Sequence, residues 1–211
     1  MTVTDVNVVK SAIFERPDDA NKGTLGSLLC VCGSYGMAGA AVMSAKGALR
    51  TGIGLAKCAL PRSIYPIVAQ TILESVYYSL NENADGRISK VNVPFLVSES
   101  CKSSATLVGC GLGVCDDTLK IVFSLIENST TPLVLDADAL NCVAKQPEIL
   151  LRKKAPIIIT PHPGEMSRLT GLATPLVNAE RERVALDFAQ KYGVVTCLLY
   201  TSPSPRDGAT S

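Results

Sequence analysis

The chain has 211 residues, enough for one α/β domain with a sizeable core. Its 20 Lys+Arg nearly balance its 19 Asp+Glu, which leaves no electrostatic case for nucleic acid or an anionic membrane as a partner. No stretch reaches the roughly 20 apolar residues of a membrane span, and Met1-Thr-Val-Thr-Asp5 has neither the basic start nor the apolar core of a signal peptide.

In chain order, Ser27 to Cys32 predicts a strand, Gly33 to Gly39 a glycine loop, and Ala40 to Leu49 a helix rich in Ala, Met and Lys. Gly54 to Ala59 is the next strand, ended by Pro61. Ala105 to Val108 leads into Gly109-Cys-Gly-Leu-Gly113, then a helix beginning near Asp116 or Asp117, where carboxylates suit the positive end of the dipole. Leu133 to Leu135 reads as a strand, Ala139 to Ala144 as a helix, and Ile157 to Ile159 as a strand. Glu180 to Tyr192 is amphipathic, with Val184, Phe188 and Tyr192 at four-residue spacing. Strands alternating with helices imply right-handed crossovers and a three-layer, doubly wound, mostly parallel sheet. No internal repeat or domain linker interrupts it.

The eight cysteines fit no zinc or disulfide framework. Cys30, Cys58 and Cys197 lie in apolar strand-like runs, and Cys30 and Cys32 share one strand. Buried free thiols behave as small hydrophobes, so a reducing cytoplasm is the expected compartment. Val194 to Tyr200 begins as a strand, but Thr201 to Ser211 carries two prolines and no apolar periodicity. The expected division is a truncated domain over 1–197, incomplete at its C-terminal edge, and a tail over 198–211 that is either disordered or artefactual sequence foreign to the domain.

Two segments carry the chemistry. Asp136-Ala-Asp-Ala-Leu-Asn141 follows the Leu133 run, and Thr160-Pro-His-Pro-Gly-Glu-Met166 follows the Ile157 run. Carboxylates, an amide and the chain's one histidine thus fall at strand ends, the edge where open α/β sheets bind ligands. Asp136 can hold Mg²⁺ through water or accept from a sugar hydroxyl. Asp138 suits the same work or, more simply, a helix cap. His162, locked between two prolines, reads as a ligand contact, and Glu165 as a cap or as an orienter of metal-bound water. The two glycine loops can bring backbone N–H groups close to phosphate or ribose oxygens, or simply form tight turns. Neither is a P-loop, and neither matches the dinucleotide fingerprint.

Together, Lys22-Gly-x-x-Gly26, Gly33-Ser-x-x-Met-x-Gly-Ala-Ala41, Ala48-Leu-Arg-x-Gly52, Gly109-x-Gly-Leu-Gly113 and the two strand-end segments resemble the NAD(P)H-hydrate dehydratases, a ribokinase-like family of metabolite-repair lyases. The resemblance covers about Arg16 to Val195. It implies removal of water from hydrated NADH or NADPH, coupled to cleavage of ADP in preference to ATP, with Mg²⁺. It implies that Ala40, Gly111 and His162 contact the hydrated nicotinamide nucleotide, and that Asp136, Asn141 and Glu165 lie near the phosphates and metal. It further implies a homo-oligomer and a functional pairing with an NAD(P)H-hydrate epimerase.

The chain departs from the family pattern in three places. Asn21 stands where His is usual, Cys110 stands where Pro is usual, and the Lys-Gly loop and Gly-Thr-Gly-Asp segment that supply the nucleotide site and the catalytic base do not occur. Asp207 precedes Gly208 but follows no Gly-Thr-Gly, so no catalytic residue is assigned, and the chain is expected to be inactive alone. Two alternatives stay open: a ribokinase-like kinase of a vitamin-precursor alcohol, and a noncatalytic nucleotide-binding remnant.

Overall fold

Short apolar runs bounded by glycine or polar turns become the strands of one sheet in a computed structural model that describes residues 23–199. Asn21 and Lys22, and residues 200–211 of the expected 198–211 tail with Asp207, lie outside the described residues, whereas Leu198 packs against the larger core. The strands are β1 (Ser27–Val31), β2 (Leu55–Pro61), β3 (Val76–Leu80), β4 (Ala105–Val108), β5 (Leu133–Leu135), β6 (Ile157–Ile159) and β7 (Val195–Thr196). They lie in the order β3-β2-β1-β4-β5-β6-β7, and every neighbouring pair is parallel. Helices α1 (Ala38–Arg50), α2 (Tyr65–Thr71), α3 (Val93–Cys101), α4 (Asp116–Asn128), α5 (Asp138–Val143), α6 (Pro163–Thr170), α7 (Thr174–Ala179) and α8 (Arg181–Tyr192) fill the crossovers.

The period-two alternation of a strand sorts β1 between two cores. Leu29 and Val31 enter the larger one with Val108, Leu125, Leu135, Ile159 and Met166. Cys30 and Cys32 enter the smaller one with Ala41, Ala45, Cys58, Leu60 and Val68, under α1 and α2. A strand covered on both faces in this way reads as a continuous apolar run rather than an alternating one. Each fully buried Leu or Ile of the larger core stabilises the fold by about 1.5–3 kcal/mol relative to exposure.

β3, α2 and α3 had no counterpart among the expected elements. Pro66 and Pro94 stand in the first turns of α2 and α3, where a missing N–H costs nothing, so they start helices rather than break them. The expected strand after Val194 is only two residues long as a regular strand. Even so, the amides of Cys197 and Leu199 still donate to the carbonyls of Ile159 (2.8 Å) and Pro161 (2.9 Å). From β1 the chain winds outward through β2 to β3, and from β4 it winds the other way to β7. The reversal falls between β1 and β4, and their C-terminal ends open a crevice there.

Candidate active site

The two glycine loops leave the sheet on either side of that reversal and are bonded to each other. Gly33 N donates to Cys110 O at 2.8 Å, and the buried Ser34 hydroxyl donates to Gly111 O at 2.8 Å. Gly111 has φ +65°, and a Cβ there would stand 2.7 Å from the Ala40 Cβ and 3.1 Å from that of Met37. Ala40 and Gly111 are therefore in close approach, and neither carries a side chain large enough to block the crevice. Met37 gives α1 no side-chain cap, although its carbonyl accepts from Ala40 N at 3.2 Å, and the positive end of this helix adjoins the first glycine loop, an arrangement suited to an anion.

One strand further, Asp136 is held at both carboxylate oxygens. Thr160 Oγ1 donates to Oδ1 at 2.8 Å and Cys110 Sγ to Oδ2 at 3.2 Å. Gly109 lets the chains come this close: at φ +123°, a Cβ there would lie 1.9 Å from Asp136 O, which no other residue type can accommodate. Ala137 follows with φ 48° and ψ −114°, so Asp136 and Asp138 turn toward different neighbours. Asp138 does not cap α5, contrary to the simpler expectation. Ala137 is the cap residue, and Asp138 stands in the first turn, accepting from Gly113 N at 2.8 Å and Asn141 Nδ2 at 3.3 Å. Asn141 in turn accepts from Arg168 Nε at 2.8 Å. A chain of contacts thus runs from α6 through α5 to the Gly109–Gly113 loop.

His162 and Glu165 form a reciprocal cap on α6. His162 Nδ1 accepts from Gly164 N at 3.0 Å, and Glu165 Oε2 accepts from His162 N at 2.9 Å. The Nδ1 lone pair is thereby engaged, and Nε2 lies 3.4 Å from Glu165 Oε1 with the ring half exposed at the crevice edge. Glu165 is buried, and burial pushes its pKa above the ordinary carboxylate value. The Asp136 charge pushes it up further, while the His162 amide and Arg168 partly offset both.

The six expected site residues thus fall into three groups. Ala40 and Gly111 meet at the reversal, Asp136, His162 and Glu165 gather at β5 and β6, and Asn141 is tied to Arg168 and Asp138. Cys110, Thr160 and Ser34 were not singled out as site residues, although all three lie inside the quoted motifs. Two facing carboxylates, one of them disfavoured as an anion, suit a Mg²⁺ ion that takes most of its ligands from phosphate and water. No group of three or more His, Cys, Asp or Glu among the described residues is placed to hold a metal by itself. A cavity of about 230 Å³ between α6 and α8, lined by Leu172, Phe188 and Tyr192, contains none of these residues.

A doubly wound sheet with glycine loops at its reversal and acids along the same edge defines an α/β enzyme domain of ribokinase-like fold. The chain belongs to the NAD(P)H-hydrate dehydratase family of hydro-lyases, whose signature matches residues 28–202. It is 38% identical over 176 residues to the bifunctional NAD(P)H-hydrate repair enzyme Nnr of Thermofilum pendens, covering 83% of this chain and 34% of that protein. It is 30% identical to the ADP-dependent (S)-NAD(P)H-hydrate dehydratase of Neisseria meningitidis, covering 87% and 58%. The structure resembles the ADP/ATP-dependent NAD(P)H-hydrate dehydratase of Bacillus subtilis co-crystallized with ATP/Mg²⁺, with TM-score 0.74, 27% identity, and coverage of 92% and 65%. The chain therefore spans about a third of the first relative's length and about two thirds of the Bacillus enzyme's. Among the described residues no helix is long and apolar enough to cross a membrane.

Proposed function

We propose that this chain serves the ADP-dependent dehydration of hydrated NADH or NADPH. In this reading Ala40, Gly111 and His162 contact the hydrated nicotinamide nucleotide, and Asp136, Asn141 and Glu165 lie toward the phosphates. The observation that carries the reading is the meeting of Ala40 and Gly111 at the β1–β4 reversal of a chain whose family handles this substrate. Ala40 and Gly111 pack closely there beside the Met37 Cβ, so no large side chain stands over main-chain groups that a flat ring system and its ribose would approach.

Hydroxide is a poor leaving group, and transfer of a phosphoryl group from ADP would convert it into phosphate. Mg²⁺, held by Asp136 and Glu165 directly or through water, would supply positive charge to the transferring phosphoryl group. The protein's own part is to hold and orient. The positive end of α1 favours anionic oxygens, Thr160 and Cys110 keep both Asp136 oxygens aimed, and the His162 ring borders the substrate with its Nδ1 already occupied. The neighbouring Bacillus structure with ATP/Mg²⁺ supports the cosubstrate, and the bifunctional name of the Thermofilum relative supports pairing with an epimerase. A homo-oligomer rests on the resemblance alone. The free thiols among the described residues suit the cytoplasm.

The test is to incubate the protein with hydrated NADH, ADP and Mg²⁺ while following the absorbance of reduced nicotinamide, and to record thermal unfolding in the same mixtures. Hydrated NADH at about a hundred times its Kd should stabilise the fold by about 2.7 kcal/mol. Recovery of absorbance, or that stabilisation, supports the reading. No response to hydrated NADH, together with ADP release from ATP and a vitamin-precursor alcohol, would replace it with a kinase.

A further inference from the structure

The same edge of the sheet carries a second opening that the proposed reaction does not use. It lies on the side of the reversal away from Asp136 and His162, where the loops after β1, β2 and β3 converge. Residues 82–88 form a tight hairpin there. Glu82 bridges Ile88, Asn83 N donates to Arg87 O at 2.9 Å, and Gly86 N donates to Asn83 O at 3.0 Å. The hairpin is fitted against both glycine loops. Tyr35 N donates to Gly86 O at 2.9 Å, and a Cβ at Gly86 would stand 2.4 Å from the Tyr35 Cβ. On its other side, a Cβ at Gly113 would stand 2.4 Å from Arg87 Nε.

A cavity of about 420 Å³ occupies this corner, with Tyr35, Ser63, Glu82, Asn83, Asp85 and Gly86 in its lining. That volume falls in the range of about 300–1,000 Å³ usual for small-molecule sites. Tyr35 is 74% exposed, yet its Cβ is seated against Gly86, so an aromatic face is presented on a fixed stem. Glu82 is aimed by Ser63, whose N and Oγ both donate to Oε2, at 3.1 and 2.7 Å. Oε1 is left for a further donor. Asp85 adds a second carboxylate, bound at Oδ2 by Arg87 Nη1 at 3.0 Å, and no Lys or Arg is among the described lining residues.

From this juxtaposition we propose that the cavity is the subsite for the adenosine half of the hydrated dinucleotide, and that Glu82 makes the chain selective for hydrated NADH over hydrated NADPH. The proposal rests on the dehydratase reading. In that reading the nicotinamide nucleotide lies against Ala40 and Gly111, and the cosubstrate phosphates lie toward β5 and β6. The adenosine half then has the opposite direction open to it, past Ser34, whose hydroxyl donates to Gly111 O, to Tyr35. The adenine ring stacks on Tyr35. Glu82 Oε1 accepts from the ribose 2′-hydroxyl, the part an acid plays in dinucleotide sites. A 2′-phosphate has no hydroxyl to donate there and brings its negative charge against Glu82 and Asp85.

The experiment is calorimetric titration of the 211-residue protein with hydrated NADH, hydrated NADPH and hydrated reduced nicotinamide mononucleotide, which lacks the adenosine half. Hydrated NADH should bind about tenfold more tightly than hydrated NADPH. Tyr35→Ala should weaken both dinucleotides about tenfold and leave the mononucleotide unchanged. Glu82→Gln should remove the preference, chiefly by strengthening hydrated NADPH. Equal affinities for the two dinucleotides in wild type, or a Tyr35→Ala loss that extends to the mononucleotide, overturns the proposal and leaves the dehydratase reading intact. Competition by ADP against hydrated NADH but not against the mononucleotide would give the cavity to the cosubstrate, and overturns the proposal as well. Binding of none of the three overturns both the proposal and the reading beneath it.

Discussion

Glu99 and Glu165 are buried almost equally, 8% and 6% exposed, yet their surroundings act on them in opposite directions. Glu99, on α3, accepts from Lys102 Nζ at 2.9 Å and Tyr78 OH at 2.9 Å, and lies 3.7 Å from Lys57 Nζ. The Lys102 bond, helped by Tyr78 and Lys57, holds its pKa below the ordinary value against the pull of burial. Glu165, at the crevice, has one backbone amide and a neutral-capable ring as partners and faces a second carboxylate, so burial wins and its pKa rises. A carboxylate whose burial is fully compensated fastens elements together. One whose burial is only partly compensated is poised to gain a proton or a cation, and such groups concentrate at functional sites.

Removing Glu99 should have the largest effect. Glu99→Gln would leave Lys57, whose side chain is 12% exposed, without its anion, at a cost of about 3 kcal/mol. That corresponds to a fall in Tm of roughly 6–12 °C for a chain of this size. A thermal melt that moved by only a degree or two would show Glu99 to be no more structural than Glu165. Glu165→Gln comes next: it keeps an acceptor for His162 N, so stability should change by less than about 1 kcal/mol. Affinity for Mg²⁺ with ADP, measured calorimetrically, should nevertheless fall about tenfold, or 1.4 kcal/mol. Unchanged affinity would remove Glu165 from the metal site.

Stability against pH sharpens the contrast, because the two shifts have opposite signs. The lowered pKa of Glu99 contributes stability above its ordinary value of about 4.5, and this is lost as pH falls through the folded-state pKa. The raised pKa of Glu165 contributes stability in full below about 4.5, and this is lost as pH rises through the folded-state pKa. In urea titrations from acid upward, wild type should therefore gain on Glu99→Gln and lose ground against Glu165→Gln. Parallel curves would contradict both assignments. The smallest effect belongs to Lys102→Ala, whose side chain is 64% exposed and screened by water; about 0.5 kcal/mol is expected from equilibrium unfolding.

The placement of Asp136, His162 and Glu165 near one edge of the sheet was readable in the sequence because they lie within a few residues of short β-rich runs, and strand ends carry position with them. The fold class followed from the alternation of β1, α1, β2 and β4, each marked by glycine or proline. Glu99 was not readable. Its acceptor role depends on Tyr78, 21 residues away on a strand that the apolar pattern does not reveal: β3 is Val-Tyr-Tyr-Ser-Leu, partly exposed at the sheet's edge. The cap expected of Asp138 failed for a related reason. Residue type favoured it, but the Gly113 amide, 25 residues back and brought near by the β4–β5 pairing, claimed the carboxylate first. Local preference yields where a tertiary partner offers a bond of 2.8 Å to a group already in place.

Ala137, between the two acids, sits at φ 48°, the only non-glycine with positive φ among the described residues. An alanine held there stores about 1–3 kcal/mol of backbone strain, and such strain persists only when the surroundings over-determine the conformation. Those surroundings are the bonds to Asp136 from Thr160 and Cys110 and the bond to Asp138 from Gly113. The turn therefore behaves as a loaded spring clamped at both ends. If either clamp lets go, the released peptide favours a relaxed geometry in which the two carboxylates no longer point apart, so the aim of each acid depends on the grip of the other.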